Sequence, residues 1–258
     1  MHSVRRGSGK PLLLIHGLGA SWQNWEPILP ALAAQREVIA VDLPGFGQTP
    51  PLPGEVSIAT LADAVTSFIA EQDLTGVDLV GISMGGRLVL ELARRGVGGT
   101  SVALSPGGFW NAGQLRVFNI SIQASIKLIR VLQPVMPLLT GNPLGRTLLL
   151  AQLSPKPWAL PADLTLREMR SWAASPSFDA ALHSLVHGPE QKGATAGSLP
   201  GPLVIGWARQ DRICFPTESK RATELFPNAA LHWFDHSGHY MHWDQPAQTV
   251  DLIVRSTA

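Results

Sequence analysis

The sequence predicts an α/β fold: a mostly parallel central sheet flanked by helices, with a helical cap inserted into it. Three observations carry that reading. Short apolar runs of strand length recur along the 258 residues, helical patterns lie between them, and the alternation fails in a single long stretch. Strands covered on both faces read as continuous apolar runs, because neither side of such a sheet meets water.

The runs fall at 12–15, 38–41, 77–80, 101–104, 203–205 and 231–234, each followed closely by Gly, Pro, Asp or Ser. Helical spacing of apolar residues marks 25–34, 58–71, 86–95, 217–225 and 246–254, and Gly96 is placed to stop the third of these. The exception lies between Ser105 and Pro202. It holds no convincing strand but has helical runs at 115–132, 144–153 and 162–174, punctuated by prolines, and it closes in a Gly/Ser/Pro linker over 193–202. The expected domains are therefore a sheet domain at 1–105 and 202–258 and a cap at 106–201.

Composition narrows the function. Twenty Lys plus Arg against nineteen Asp plus Glu give a formal charge of +1, which supplies no overall field for nucleic acid. With Cys214 as the single cysteine, no internal disulfide forms, so a reducing cytoplasm suits the chain. The most lipid-like segment, 118–139, is broken by Lys127, Arg130, Pro134 and Pro137 and does not read as a membrane span.

The run Val77-Asp78-Leu79-Val80 leads into Gly81-Ile82-Ser83-Met84-Gly85-Gly86, a G-x-S-x-G sequence between a strand and a helix. Such a tight corner needs small neighbours and exposes the serine hydroxyl, while the helix behind it aims free N–H groups at developing negative charge. Ser83 is the candidate nucleophile. His239, in the loop Asp235-His236-Ser237-Gly238-His239 after the last strand, is the candidate base, and Asp211, in the loop after the strand at 203–205, is the candidate orienting acid. Asp211 also lies between Arg209 and Arg212, so a loop carboxylate paired at the surface is the competing reading. The stretch His16-Gly17-Leu18-Gly19 ends the first apolar run, and the backbone N–H groups of Leu18 and Met84 are the candidate oxyanion hole.

These motifs resemble the α/β-hydrolase family over nearly the whole chain. The resemblance rests on His16-Gly17-Leu18-Gly19 with Trp25 downstream, Asp42-Leu43-Pro44-Gly45-Phe46-Gly47, the Ser83 motif, and Asp211 with Ser237-Gly238-His239. It implies a Ser83–His239–Asp211 triad in the chain order of that fold, a cap shaping an acyl pocket, and a small acyl ester as substrate, with no cofactor. Similar triads in the family also serve thioesters, lactones and carbon–carbon cleavage, and a non-catalytic receptor on the same fold is a further class. Only about ten residues precede the first apolar run, so the antiparallel strands with which similar proteins begin are expected to be short or missing.

Three other features compete for a role. His232, His236, His239 and His242 suggest a metal cluster, but spacings of four, three and three converge only on a helix, which Gly238 opposes; no metal is expected. Among the aromatic residues, Trp22 and Phe109 sit nearest the catalytic turns in sequence and are the candidate pocket residues. From Leu92 to Ala162 there is no Asp or Glu, against Arg94, Arg95, Arg116, Lys127, Arg130, Arg146 and Lys156. That asymmetry suggests a basic cap face for an anionic substrate, an acyl carrier or an anionic membrane; a solvated face balanced by acids elsewhere is the plainer reading.

Overall fold

The computed structural model describes residues 1–258. Its strands are β1 (Ser3–Arg6), β2 (Pro11–Ile15), β3 (Glu37–Val41), β4 (Asp78–Ile82), β5 (Ser101–Leu104), β6 (Leu203–Ala208) and β7 (Ala230–Phe234). They form one sheet in the order β1-β3-β2-β4-β5-β6-β7. All neighbouring pairs are parallel except β1 with β3. The six apolar runs are thus all strands, and the antiparallel start is reduced to the four residues of β1. Ser3, Arg5 and Arg6 carry no apolar signal because β1 is an edge strand with a wet face.

The helices are α1 (Leu29–Ala33), α2 (Ile58–Glu71), α3 (Met84–Arg94), α4 (Ala112–Val131), α5 (Met136–Gly141), α6 (Pro143–Leu150), α7 (Ala162–Ala174), α8 (Phe178–His187), α9 (Ser219–Leu225), α10 (Met241–Asp244) and α11 (Pro246–Thr257). The expected helix at 25–34 is instead a 3-10 turn at Trp22–Trp25 followed by the short α1. Pro27 and Pro30 explain the break, since neither has an N–H to continue a ladder. Gly96 does end α3, in the left-handed region at φ 78°.

Topology places the functional rim. The chain leaves β2 through α1 to β3 on one side, then crosses through α2 to β4 on the other. Right-handed crossovers running in opposite directions lay α1 and α2 on opposite faces, and α1 indeed packs with α11 while α2 packs with α3. The direction reverses between the neighbours β2 and β4. A crevice opens at the C-terminal ends of strands at such a point, so the loops after Ile15 and Ile82 flank a ready-made site.

Between β5 and β6 the chain is helical, from α4 to α8. Asn111 and Gln114 form a reciprocal capping box that starts α4. Phe118, Ile122, Ile126 and Ile129 turn its inner face into the core. One apolar cluster runs without a gap from the sheet, Leu12 to Ile15 included, to Met169 and Trp172 of α7 and Leu185 of α8. No helix is long and apolar enough to cross a membrane.

Candidate active site

Ser83 is the single residue between β4 and α3, and its backbone is held at φ 57°, ψ −118°. A non-glycine residue there costs on the order of 1–3 kcal/mol, which the surroundings must offset. They do so with three hydrogen bonds: the Ser83 N–H donates to the Leu104 carbonyl at 2.9 Å, and the Ser83 carbonyl accepts from Arg87 at 3.0 Å and Gly107 at 3.1 Å. The flanking glycines are steric requirements. A Cβ on Gly81 would meet the Gly85 carbonyl, and one on Gly85 would meet the carbonyls of Ile15 and His16. The start of α3 is thereby pressed against the end of β2. Met84, first in α3, has no carbonyl one turn behind it, so its N–H is unspent within the helix.

The loop after β2 is fixed by His16, which is fully buried. Its Nδ1–H donates to the Gly17 carbonyl at 2.7 Å and its Nε2 accepts from the Leu43 N–H at 3.0 Å. Burial pushes its pKa down, consistent with a neutral ring serving one donor and one acceptor. Asp42 is likewise structural, accepting from the backbone N–H of Trp22 at 2.7 Å and of Gln48 at 3.0 Å. Gly17 lies so close to the elbow that a Cβ would sit 3.2 Å from Ser83 Cβ and 3.8 Å from Ser83 Oγ. The neighbouring Leu18 N–H has no backbone partner.

Asp211 and His239 meet across the ends of β6 and β7. Nδ1 of His239 and Oδ2 of Asp211 are 2.9 Å apart, with side-chain exposures of 3% and 0% respectively. The other Asp211 oxygen accepts from the N–H groups of Ile213 at 2.8 Å and Cys214 at 3.0 Å. The neighbouring arginines look elsewhere: Arg209 lies over the Trp233 ring and Arg212 donates to the Ala151 carbonyl. With its Nδ1–H donating to Asp211, the imidazole of His239 keeps Nε2 free to accept. Its loop is anchored by Asp244, which accepts from the Gly238 N–H at 2.9 Å. Cys214 is buried, and burial followed by the charges of Asp211 and Glu218 pushes its thiol well up. Burial, then the Asp211 charge, also raises Glu218 to about 8; one of its oxygens accepts from the Phe215 N–H and the other has no partner.

Ser83, His239, Leu18 and Met84 all line one narrow cavity of about 20 Å³. Its other walls are chiefly apolar: Trp110, Phe118, Ile122, Leu153, Trp172, Leu185, Ile213 and Tyr240, with Gly17 at its base. Ser83 and His239 are not hydrogen-bonded to each other in this arrangement, a contact that commonly tightens only when substrate binds. A larger groove of about 400 Å³ elsewhere is bordered by charged residues such as Arg87, Glu91 and Arg94 and contains none of these groups.

Trp22 and Phe109 do not line the cavity. Phe109 is buried against Trp207, and the next residue, Trp110, turns into the cavity with its indole N–H on the Ile213 carbonyl at 3.0 Å. Proximity in sequence misled because adjacent side chains in a turn point apart. Behind the wall, against Trp172 and Tyr240, lies an acid that sequence reasoning missed. Glu168 of α7, buried and raised in pKa by that burial, accepts from Tyr240 at 2.7 Å and from Trp172 and Asn24 at 3.1 Å each.

The four histidines do not gather. His239 serves Asp211, His242 pairs with Asn24 at 2.8 Å and is held near a pKa of about 3 by burial, and His232 lies on β7 beside Gln248. No group of three potential ligands surrounds a common point. The basic stretch is also less uniform than its composition suggests. Arg94 and Arg95 pair with Glu91, Arg130 pairs with Asp179, and Arg146 is buried on the carbonyls of Thr140 and Trp158. Arg116, Lys127 and Lys156 remain as its exposed cations.

Residues 12–252 match the alpha/beta hydrolase family. The chain belongs to that family. This α/β hydrolase is 28% identical over 98% of its length to a 2-hydroxy-6-oxo-2,4-heptadienoate hydrolase of Pseudomonas putida, covering 90% of that protein. It is 40% identical over 36% of its length to a pimeloyl-[acyl-carrier protein] methyl ester esterase of Legionella pneumophila, covering 36% of that protein. Among solved structures it is similar in fold to a thermophilic esterase from Thermogutta terrifontis, with a TM-score of 0.77 at 18% identity, covering 98% of this chain and 91% of that one.

Proposed function

We propose that this α/β hydrolase cleaves a carboxylic ester of a small molecule through an acyl-enzyme formed on Ser83. The observation that carries the reading is the shared cavity: a strained serine on one wall and a buried, carboxylate-held imidazole on another. In this reading Ser83 Oγ attacks the ester carbonyl as its proton passes to Nε2 of His239. Asp211 fixes the tautomer and stabilises the imidazolium. The N–H groups of Leu18 and Met84 hold the oxyanion, aided by the positive end of α3. His239 then protonates the departing alcohol and activates the water that frees the acid.

The helices over 106–201 act here as a cap. α4, α7 and α8 supply Phe118, Ile122, Trp172 and Leu185 to the cavity. Since about 20 Å³ admits little more than a water molecule, these side chains must give way to an acyl group, and substrate size is read by the cap. A reducing cytoplasm fits the lone buried Cys214. Carbon–carbon hydrolysis is the second reading, favoured by the near full-length similarity to the Pseudomonas putida dienoate hydrolase.

The deciding experiment treats wild type and Ser83→Ala with a fluorophosphonate probe, short aryl esters, a thioester, a lactone and a ring-cleavage dienoate. Wild type is expected to be labelled on Ser83 and to turn over the esters, and the variant to do neither. Turnover of the dienoate alone would replace the ester reading by the second. Labelling and turnover both absent would leave a receptor on a hydrolase scaffold.

A further inference from the structure

We infer that the outer surface of α4, α5 and α6 docks the protein onto an anionic lipid bilayer. The exposed large hydrophobic residues are Val117, Ile120, Leu128, Val131, Val135, Leu138, Leu144, Leu148 and Trp158, and every one lies between residues 117 and 158. The sheet and the rest of the chain contribute none. Sites of this kind mark contact surfaces, because a soluble fold has no need to expose them together.

α4 shows the design within one helix. Phe118, Ile122, Ile126 and Ile129 are buried. At 100° per residue, Val117, Ile120, Ala124, Leu128 and Val131 fall within about 80° of arc on roughly the opposite side. A helix that only covered a core would place polar residues there. Arg116 and Lys127 border the outer stripe along one edge, both exposed, and no carboxylate occurs from Leu92 to Ala162. The stripe continues through residues of α5, α6 and the 3-10 turn at Pro157–Ala159, which pack on one another in succession. Trp158, half exposed there, is a residue type suited to the headgroup level.

Apolar side chains edged by the unpaired cations Arg116 and Lys127, on helices that carry no acid of their own, match a surface of acyl chains under negative headgroups. A second copy of the chain is a poor complement. Two-fold pairing of this patch would set Arg116 and Lys127 against an equally basic face whose own helices supply no acid. With its inner face committed to the core, α4 would lie along the bilayer surface. Phe118 and Ile122 on its inner side line the cavity, so docking sets the cavity directly behind the membrane-facing helix.

The test is co-sedimentation of full-length Ser83→Ala protein with phosphatidylcholine vesicles, with and without phosphatidylglycerol, at low and high salt. Binding is expected to phosphatidylglycerol vesicles and to weaken with salt. Ile120→Ser/Leu128→Ser should lower it about tenfold, and Lys127→Glu by about fivefold. Built on the wild-type Ser83 background, both variants should match wild type in melting temperature, which separates lost docking from lost folding. The inference is overturned if anionic vesicles carry down no protein, if the variants bind as wild type does, or if pure phosphatidylcholine serves equally well. It is also overturned if sedimentation velocity shows a dimer that Ile120→Ser/Leu128→Ser converts to monomer, since the face would then belong to a second copy.

Discussion

The sheet and the helices inserted between β5 and β6 use their apolar residues differently. In β2, Leu12 to Ile15 have no exposed surface, and beside it Val38 to Val41 of β3 and all of β4 are buried. In α4 to α6 apolar side chains point both inward and outward, and Leu144 and Leu148 are 72% and 80% exposed. The first region spends its hydrophobicity on holding a rim of loops in place. The second carries more than its packing requires, so its sequence answers to something outside the fold.

Substitutions in the two regions should separate by size of effect. At the rim, Asp211→Asn keeps an oxygen for the Ile213 and Cys214 N–H groups but offers an amide to His239, favouring the wrong tautomer. We expect kcat on an ester to fall on the order of 10⁴-fold with little change in melting temperature, measured by steady-state kinetics and thermal scans. Near-normal kcat would remove Asp211 from the site. Beneath the rim, Leu14→Ala should cost about 2–5 kcal/mol, seen as a lower midpoint in urea, because the surrounding sheet cannot close the gap.

A third test bears on pH. Folding raises the pKa of Glu218 from the ordinary carboxylate range to about 8 by burial, so the folded chain keeps a proton that the unfolded chain releases above about 4.3. The stabilisation from that proton is complete below the unfolded pKa and is lost as pH rises toward about 8. Glu218→Gln should therefore gain in melting temperature relative to wild type across roughly pH 5 to 8, by several degrees. Parallel curves would show that Glu218 ionises freely in the folded protein. The smallest effect belongs to the outer helices: Leu148→Ala should stay within about 0.5 kcal/mol of wild type in denaturant titration. A larger loss would place Leu148 in the packing after all.

The sheet was legible because buried parallel strands announce themselves as unbroken apolar runs, and all six such runs are strands. β1 was silent, since an edge strand made of Ser3, Val4, Arg5 and Arg6 looks like a polar terminus. α8 is also faint in the sequence, although Phe178, Ala181, Leu182 and Leu185 have helical spacing, because Pro176 and the surrounding serines obscure its start. At the site, the loops holding Ser83, Asp211 and His239 were readable because turn residues and strand ends fix their positions in the chain. The cavity wall was not. Which of Phe109 and Trp110 enters it depends on the turn of one backbone unit, and Glu168 joins Tyr240 from 72 positions away in sequence.

His16 sets a lower bound on the acidity this enzyme tolerates. Both ring nitrogens are committed, one as donor to Gly17 and one as acceptor from Leu43. A second proton would aim one N–H at another and loosen the turn that carries Leu18. Loss of rate in acid would then have an origin outside the cavity, the collapse of a loop held by an imidazole that lines none of it.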